Sequence, residues 1–182
     1  IDLDDVIRRS KTPVAYRMLF LNYDLVAIEL FEKLLALTKF LESKNIEYFV
    51  MDGGSNDGSL DIIKKYDANI TYWQSKPDLG QADAINQAFK MCKGEIIAFI
   101  NSDDLLMPNA VETAVSCFEV NSETSLVHGN CTTINALGEE IETVKGNPVR
   151  FEKVLEVGML PNIYQPTCFF NRSQLKRDYF LE

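Results

Sequence analysis

Residues 46–65 read IEYFVMDGGSNDGSLDIIKK, which combines three local patterns in one run. The segment 46–51 is apolar with few polar breaks, as is typical of a strand buried on both faces. The segment 52–59 is rich in Gly, Asn, Asp and Ser, the residues that tight turns favour. Asp57 and Ser59 are both credible N-caps for a helix that starts near Ser59. The run therefore predicts a strand, a short turn and a helix in direct succession.

Short apolar runs and helical patterns alternate in the same way along most of the chain. Further strands are predicted at 14–21, 70–73, 95–100 and 125–129, and further helices at 24–43, at about 80–92 and after Pro108. Beyond Gly129 we predict a hairpin around 136–138, a helix at 151–156, a strand at 165–170 and a last helix from Ser173. Strands that alternate with helices through short links indicate an α/β domain with a doubly wound parallel sheet. The length of 182 residues suits one domain spanning 1–182.

Composition narrows the class of protein. There are 27 acidic and 18 basic side chains, for a formal charge of −9. Proteins that bind polyanions normally carry a basic surface, so nucleic acid is not an expected partner. No apolar run approaches the ~18 residues of a membrane span. Four cysteines without a CxxC pair are typical of a reduced, cytoplasmic protein. His128 is the single histidine, so a bound metal would need oxygen ligands, which Mg and Mn prefer.

Two acidic loops follow predicted strands. Asp52 opens the run DGGSNDGS after the strand at 46–51, and the run NSDD occupies 101–104 after the strand at 95–100. Ligands of open parallel sheets bind at the carboxyl ends of the strands. Adjacent carboxylates repel each other unless a cation or hydrogen-bond donors lie between them, and a divalent ion with a diphosphate would meet that need. Each loop can also be explained without a ligand, the first as a turn with a helix cap and the second as a solvated loop.

Other nucleotide and metal motifs are absent from the sequence. It contains neither GxGxxG nor GxxxxGK[ST], which argues against dinucleotide and P-loop sites. The run from Asp52 is not a calcium-binding EF-hand loop, because its sixth position is Asp57 instead of Gly and its twelfth is Ile63 instead of Glu.

The segments 45–66, 70–108 and 163–175 together resemble the family 2 glycosyltransferases of the GT-A fold. The resemblance implies a Rossmann-like, mostly parallel sheet flanked by helices, of the nucleotide-diphospho-sugar transferase type. It also implies metal-dependent, inverting transfer of a sugar from a nucleotide-sugar donor to a saccharide or lipid-linked acceptor, with Mn or Mg as the metal. The family role that we expect is bacterial surface-polysaccharide synthesis in the cytoplasm, with peripheral association at the inner face of the membrane left open.

The resemblance also assigns donor-site roles to individual residues. It implies that Tyr23 stacks on the base, that Asp52 contacts the nucleobase or ribose, and that Asp103 holds the ribose or shares the metal. Asp104 would be the metal ligand that bridges to the diphosphate. The DxD-type motif of the family begins here with Asn101, so Asp103 and Asp104 carry its charge.

The remaining assignments concern the rim of the pocket and the acceptor side. The resemblance places Asp83 and Asn86 in the block that flanks the donor pocket, and Gln165 near the donor sugar or the acceptor. It places the catalytic base of inverting members after a block that the final residues RDYFLE resemble, beyond Glu182. The expected domain is therefore cut short on its acceptor side.

Two other classes of function remain open from the residues alone. A nucleotidyltransferase would use a similar metal-dependent site, but it would want a Gly-rich, basic turn after the first strand, and the sequence there is LNYDLVAIE. A non-catalytic module would be either a metal- and nucleotide-binding fragment or an adhesion domain with a metal-dependent loop. A transfer assay separates the fragment from an enzyme, and nucleotide binding separates both from an adhesion domain.

Overall fold

A computed structural model describes residues 17–22, 46–102, 104–107, 109–135, 139–148 and 163–175. The predicted helices at 24–43 and 151–156 lie outside these residues. The described strands and helices are, in chain order, β1 Arg17–Asn22, β2 Glu47–Asp52, α1 Ser59–Lys65, β3 Tyr72–Ser75, α2 Gln81–Met91, β4 Ile96–Ile97, β5 Phe99–Ile100, α3 Ala110–Val120, β6 Leu126–Val127, β7 Cys131–Ile134, β8 Glu140–Val144 and β9 Phe169–Asn171.

The main sheet has the strand order β3-β2-β1-β5, and every neighbouring pair in it is parallel. Five of the six residues of β2 are buried, which explains the unbroken apolar run in its sequence. The α/β class and the mostly parallel sheet are thus confirmed. In this register Asp52 lies beside Asn22 of β1 on one side and Ser75 of β3 on the other.

The predicted strand at 95–100 is wrong as a single strand, because two different sheets share it. Ile96–Ile97 pairs antiparallel with β9, whereas Phe99–Ile100 pairs parallel with β1. The run is apolar throughout, so its pattern does not mark where the chain crosses between sheets. The smaller sheet has the order β4-β9-β6, with β9 antiparallel to both neighbours.

The C-terminal strand is shorter than predicted. A 3₁₀ turn occupies Gln165–Thr167, and the strand covers Phe169–Asn171. Pro166 lacks the N–H that a ladder bond needs, which favours the turn. The described start of the expected last helix is a 3₁₀ turn at Arg172–Gln174. The predicted hairpin is confirmed by the antiparallel pair β7 and β8 on either side of 136–138.

The side chains of β2 alternate between two buried clusters, one on each face of the main sheet. Tyr48 and Val50 belong to the cluster that contains residues of α1 and α3. Phe49 and Met51 belong to the cluster that contains residues of α2. Successive strand residues point to opposite faces, so β2 forms the centre of a layered domain with helices on both sides.

The helix starts are close to the predicted positions. For α1 the N-cap is Gly58, with φ 99°, so neither predicted N-cap residue occupies that position. Asp57 nevertheless supplies the acceptor, because its Oδ1 lies 3.1 Å from the Ser59 nitrogen and 2.6 Å from Ser59 Oγ.

No helix within the described ranges is long and apolar enough to cross a membrane. All four cysteines are described and carry free thiols.

Candidate active site

Three loops leave the carboxyl edge of the main sheet. The loop after β2 covers 53–58, the loop after β3 covers 76–80, and the loop after β5 begins at 101. Because β2, β3 and β5 all run parallel to β1 or to each other, these loops lie at one end of the sheet. This is the edge where open α/β sheets bind ligands, and it carries Asp52 and Asp104, one residue from each acidic run of the sequence.

Asp52 ends β2 and is 1% exposed. Its Oδ2 accepts hydrogen bonds from the Ser55 nitrogen at 3.1 Å and from Ser75 Oγ at 2.5 Å, and its Oδ1 accepts one from Ser55 Oγ at 2.5 Å. A buried carboxylate is stable only when such donors satisfy it. These bonds hold the carboxylate still, fold the following turn back onto it, and connect the ends of β2 and β3.

The turn after Asp52 packs closely against the loop after β3. Gly54 has φ 94°, and a Cβ added there would lie 3.3 Å from the backbone nitrogen of Pro77. A Cβ added to the neighbouring Gly53 would lie 3.5 Å from Asp78 Oδ2, which is an ordinary contact. Glycine is required at 54 for both the left-handed backbone and the close approach.

Asp83 fixes the loop after β3 to the start of α2. Its Oδ2 accepts hydrogen bonds from the Leu79 nitrogen at 3.3 Å and from Gln87 Nε2 at 2.8 Å. A carboxylate in the first turn also interacts favourably with the helix dipole. Asn86 lies on the same helix and is half-buried. The described hydrogen bonds of Asp83 therefore stabilise the loop and the helix start that border the candidate site.

The loop after β5 carries a connected group of polar side chains. Asn101 Nδ2 lies 3.1 Å from Asp104 Oδ2 and 3.3 Å from Gln165 Oε1. Gln81 Nε2 donates to Asn101 Oδ1 at 2.8 Å, and Gln165 Nε2 donates to the Phe99 carbonyl oxygen at 2.5 Å. We call Gln81, Asn101, Asp104 and Gln165 the amide cluster. It joins three segments that are far apart in the sequence.

Asp104 is half-buried, and apolar neighbours anchor its loop. Leu105 and Leu106 pack against the larger buried cluster. Burial raises the pKa of the Cys131 thiol, and the negative charge of Asp104 adds to this effect. Asp104 therefore lies near Cys131, at the start of β7. In the loop after β2, the hydrogen bond from Ser59 Oγ lowers the pKa of the exposed Asp57.

The oxygen-rich donor set of the amide cluster fits a hard divalent cation only in part. Among the described residues, no three His, Cys, Asp or Glu side chains are grouped closely enough to hold a metal ion. Mg, however, is commonly bound through one or two carboxylates together with substrate phosphates and water. Asp104 can supply one such carboxylate. Asp103, the other expected ligand, and Tyr23, the expected stacking residue, lie outside the described residues.

The predicted site residues that the structure describes all lie on this edge of the sheet. Asn101 joins Asp104 to Gln165, whereas Asp52 lies at the end of β2 and Asp83 in the first turn of α2, where each accepts hydrogen bonds from a neighbouring loop. Ser75 and Gln81 were not among the residues predicted from the sequence. Each lies at an element end on the carboxyl edge, and that position was the one signal that could have identified them.

The family model for Glycosyl transferase family 2 matches residues 18–180, and the chain belongs to this family. An uncharacterised glycosyltransferase of Mycobacterium tuberculosis is 34% identical over 85 residues, which are 46% of this chain and 32% of the relative. The poly(ribitol-phosphate) beta-N-acetylglucosaminyltransferase TarP of Staphylococcus aureus is 37% identical over 79 residues, 42% of this chain and 24% of TarP. The matches thus span about a third or less of these relatives.

Comparison with solved structures identifies the fold as GT-A. The mannosyltransferase PcManGT from Pyrobaculum calidifontis, solved in complex with GDP-Man and Mn²⁺, superimposes with a TM-score of 0.63 at 16% identity. The superposition covers 99% of this chain and 53% of PcManGT. At this level of identity the similarity establishes the fold alone.

Proposed function

We propose that the protein transfers a sugar from a nucleotide-sugar donor to a saccharide or lipid-linked acceptor, with inversion at the anomeric carbon. The observation that carries the proposal is the placement of Asp52 and Asp104 on one edge of a parallel sheet in a chain of this family. In the reaction an acceptor hydroxyl attacks the anomeric carbon. A new glycosidic C–O bond forms, the C–O bond to the diphosphate breaks, and a general base takes the hydroxyl proton.

The proposed donor site uses two of the three loops in different ways. Asp52 would accept a hydrogen bond from the nucleobase or ribose, beside an aromatic Tyr23 that stacks on the base. Asp104, with Asp103, would hold Mn or Mg. Such an ion, when bound, stabilises the charge that develops on the departing nucleoside diphosphate. The half-buried position of Asp104 and the oxygen-rich surroundings support this division.

The rim of the proposed site would be formed by α2 and the C-terminal segment. Asp83 and Asn86 would flank the donor pocket, and Gln165 would lie near the sugar. Gln165 is hydrogen-bonded to Asn101, next to the proposed cation ligand, which supports a position of Gln165 near the donor sugar or the acceptor.

The name of TarP supports a polymer as the acceptor. That relative is named for transfer to poly(ribitol phosphate). We propose synthesis of a bacterial surface polysaccharide, carried out in the cytoplasm or at the inner face of the membrane.

A binding experiment with a matched variant tests the donor site. Thermal shift with UDP-, GDP-, CDP- and dTDP-sugars, each with and without Mn²⁺, should identify one nucleotide class that stabilises the protein. A ligand at 100 times its Kd adds ~2.7 kcal/mol to the free energy of unfolding. In Asp104→Asn, the tightening of nucleotide binding by Mn²⁺ should disappear. It should persist in Asp61→Asn, which removes an exposed carboxylate of α1.

Two results would contradict the proposal at different levels. If no nucleotide sugar stabilises the protein either with or without Mn²⁺, the proposed donor site is wrong. If Mn²⁺ tightens binding to Asp104→Asn as much as to the wild type, Asp104 is not the ligand. A radiolabelled-donor assay with a cell-envelope lipid extract as acceptor then tests transfer directly.

A further inference from the structure

Asn101 occupies the centre of the amide cluster. It follows β5 directly and contacts the first residue of α2, the loop residue Asp104 and the first residue of the 3₁₀ turn Gln165–Thr167. Its side-chain oxygen accepts one hydrogen bond and its nitrogen lies within reach of two acceptors.

Chemistry fixes the orientation of every amide in the cluster. The ionised carboxylate of Asp104 can only accept, so the atom of Asn101 that faces it must be the nitrogen. The Phe99 carbonyl can only accept, so Gln165 turns its nitrogen there and its oxygen towards Asn101. The oxygen of Asn101 is then left to face Gln81 Nε2. The cluster has a single consistent polarity, set by two acceptor-only groups at its ends.

We propose that Asn101 is a positioning residue that aims the Asp104 carboxylate at the cation, and that Gln165 and Gln81 hold Asn101 in the required orientation. The inference rests on the proposed function, in which Asp104 is the cation ligand. Both ends of the Gln165 amide are used within the protein. Gln165 therefore acts through Asn101, and its effect on the donor is indirect.

The proposal predicts that a carboxylate cannot replace the amide at 101 in this chain. An aspartate there would turn an acceptor towards Asp104 Oδ2 and Gln165 Oε1, which lie 3.1 Å and 3.3 Å from the present nitrogen. Like charges at such a distance repel, and the hydrogen bond that orients Asp104 would be lost. A simple ligand role for position 101 makes the opposite prediction, since an added carboxylate would then strengthen cation binding.

The test compares Asn101→Asp with the wild-type protein by calorimetry. GDP and UDP are each titrated with and without Mn²⁺, and the ratio of the two affinities gives the enhancement by the metal. We expect Asn101→Asp to reduce this enhancement by about tenfold or more, with metal-free nucleotide affinity little changed. Asn121→Asp adds the same charge at the far end of α3, where the acceptor for the Glu123 nitrogen is kept, and should leave the enhancement unchanged.

A second variant tests the proposal even if Asn101→Asp does not fold. Gln81 is exposed, so Gln81→Glu should fold normally while replacing the donor to Asn101 with an acceptor. The enhancement by Mn²⁺ should again fall, although the variant adds negative charge near the cation. In the metal-free protein, the side-chain amide NMR signals of Asn101 should shift in Asp104→Asn and stay in place in Asn121→Asp.

The outcomes separate this inference from the proposed function. If the wild type binds GDP or UDP with Mn²⁺ and Asn101→Asp or Gln81→Glu keeps or raises the enhancement, the positioning role is wrong and the donor site stands. If the wild type binds neither nucleotide under any condition, the proposed function falls and this inference falls with it. Unchanged Asn101 amide signals in Asp104→Asn would also overturn the inference.

Discussion

Replacing Asp52 with alanine removes the common acceptor of two serine residues. Ser55 loses a partner for its nitrogen and its hydroxyl, and Ser75 loses one for its hydroxyl. Hydrogen bonds to a charged group contribute ~1.5–3 kcal/mol each, but the two hydroxyls can turn towards other acceptors, whereas the Ser55 nitrogen cannot. We therefore expect Asp52→Ala to lower the free energy of unfolding by about 2–4 kcal/mol.

Urea denaturation of Asp52→Ala and Asp57→Ala measures this effect against a matched control. Asp57 lies in the same loop and also accepts hydrogen bonds from one serine, but it is exposed, so its loss should cost only about 0.5–1 kcal/mol. Nucleoside diphosphate affinity should fall by ~1–3 kcal/mol in Asp52→Ala and stay unchanged in Asp57→Ala. Equal destabilisation of the two variants would refute the argument that burial and the serine bonds distinguish them.

Three further predictions follow from backbone geometry and from pKa. Gly54→Ala should destabilise the protein by ~1–2 kcal/mol in urea denaturation, because of the left-handed backbone at 54, whereas Gly53→Ala should change stability by less than ~0.5 kcal/mol. The hydrogen bond from Ser59 holds the pKa of Asp57 below its usual value, so its contribution to stability is present above pH ~4 and is lost as the pH falls through the lowered pKa. In acid denaturation, the free energy of unfolding of Asp57→Asn should therefore lack the part of the decrease that comes from protonating Asp57. The same pH dependence in Asp57→Asn and the wild type would contradict this prediction. Burial raises the pKa of Cys168 to about 11, so alkylation by iodoacetamide at pH 8 should be slow until the protein unfolds, and rapid labelling of the native protein would show that the thiol is accessible.

The parts of the fold that follow from local patterns were predictable from the sequence. The strand β2 and the helix α1 were identified because a buried strand, a glycine-rich turn and a helix each leave a distinct local pattern. The division of 95–100 between two sheets was not, because Ile96 and Ile100 are equally apolar and both are buried. Which sheet each residue joins depends on β1 and β9, which lie far away in the sequence.

The same distinction applies to the candidate site. The carboxylates at 52 and 104 could be identified because they follow predicted strands. Their partners could not, since Ser75 lies 23 residues from Asp52 and Gln165 lies 64 residues from Asn101. No periodicity links such distant positions. Parallel pairing of β2 with β3 places Ser75 beside Asp52. The contact between Gln165 and Asn101 depends instead on the 3₁₀ turn that precedes β9, in the smaller antiparallel sheet.

Burial and hydrogen bonding divide the two carboxylates between two roles. Both oxygens of Asp52 accept hydrogen bonds from serine donors, and the side chain is almost completely buried. A cation that bound there would have to displace those donors from a buried position, which would cost several hydrogen bonds. Asp104 is half-buried, and it is oriented by the amide of Asn101 on the loop that follows β5. We therefore expect a divalent ion to bind at Asp104, while Asp52 contacts the nucleoside and also holds the loops after β2 and β3 in place.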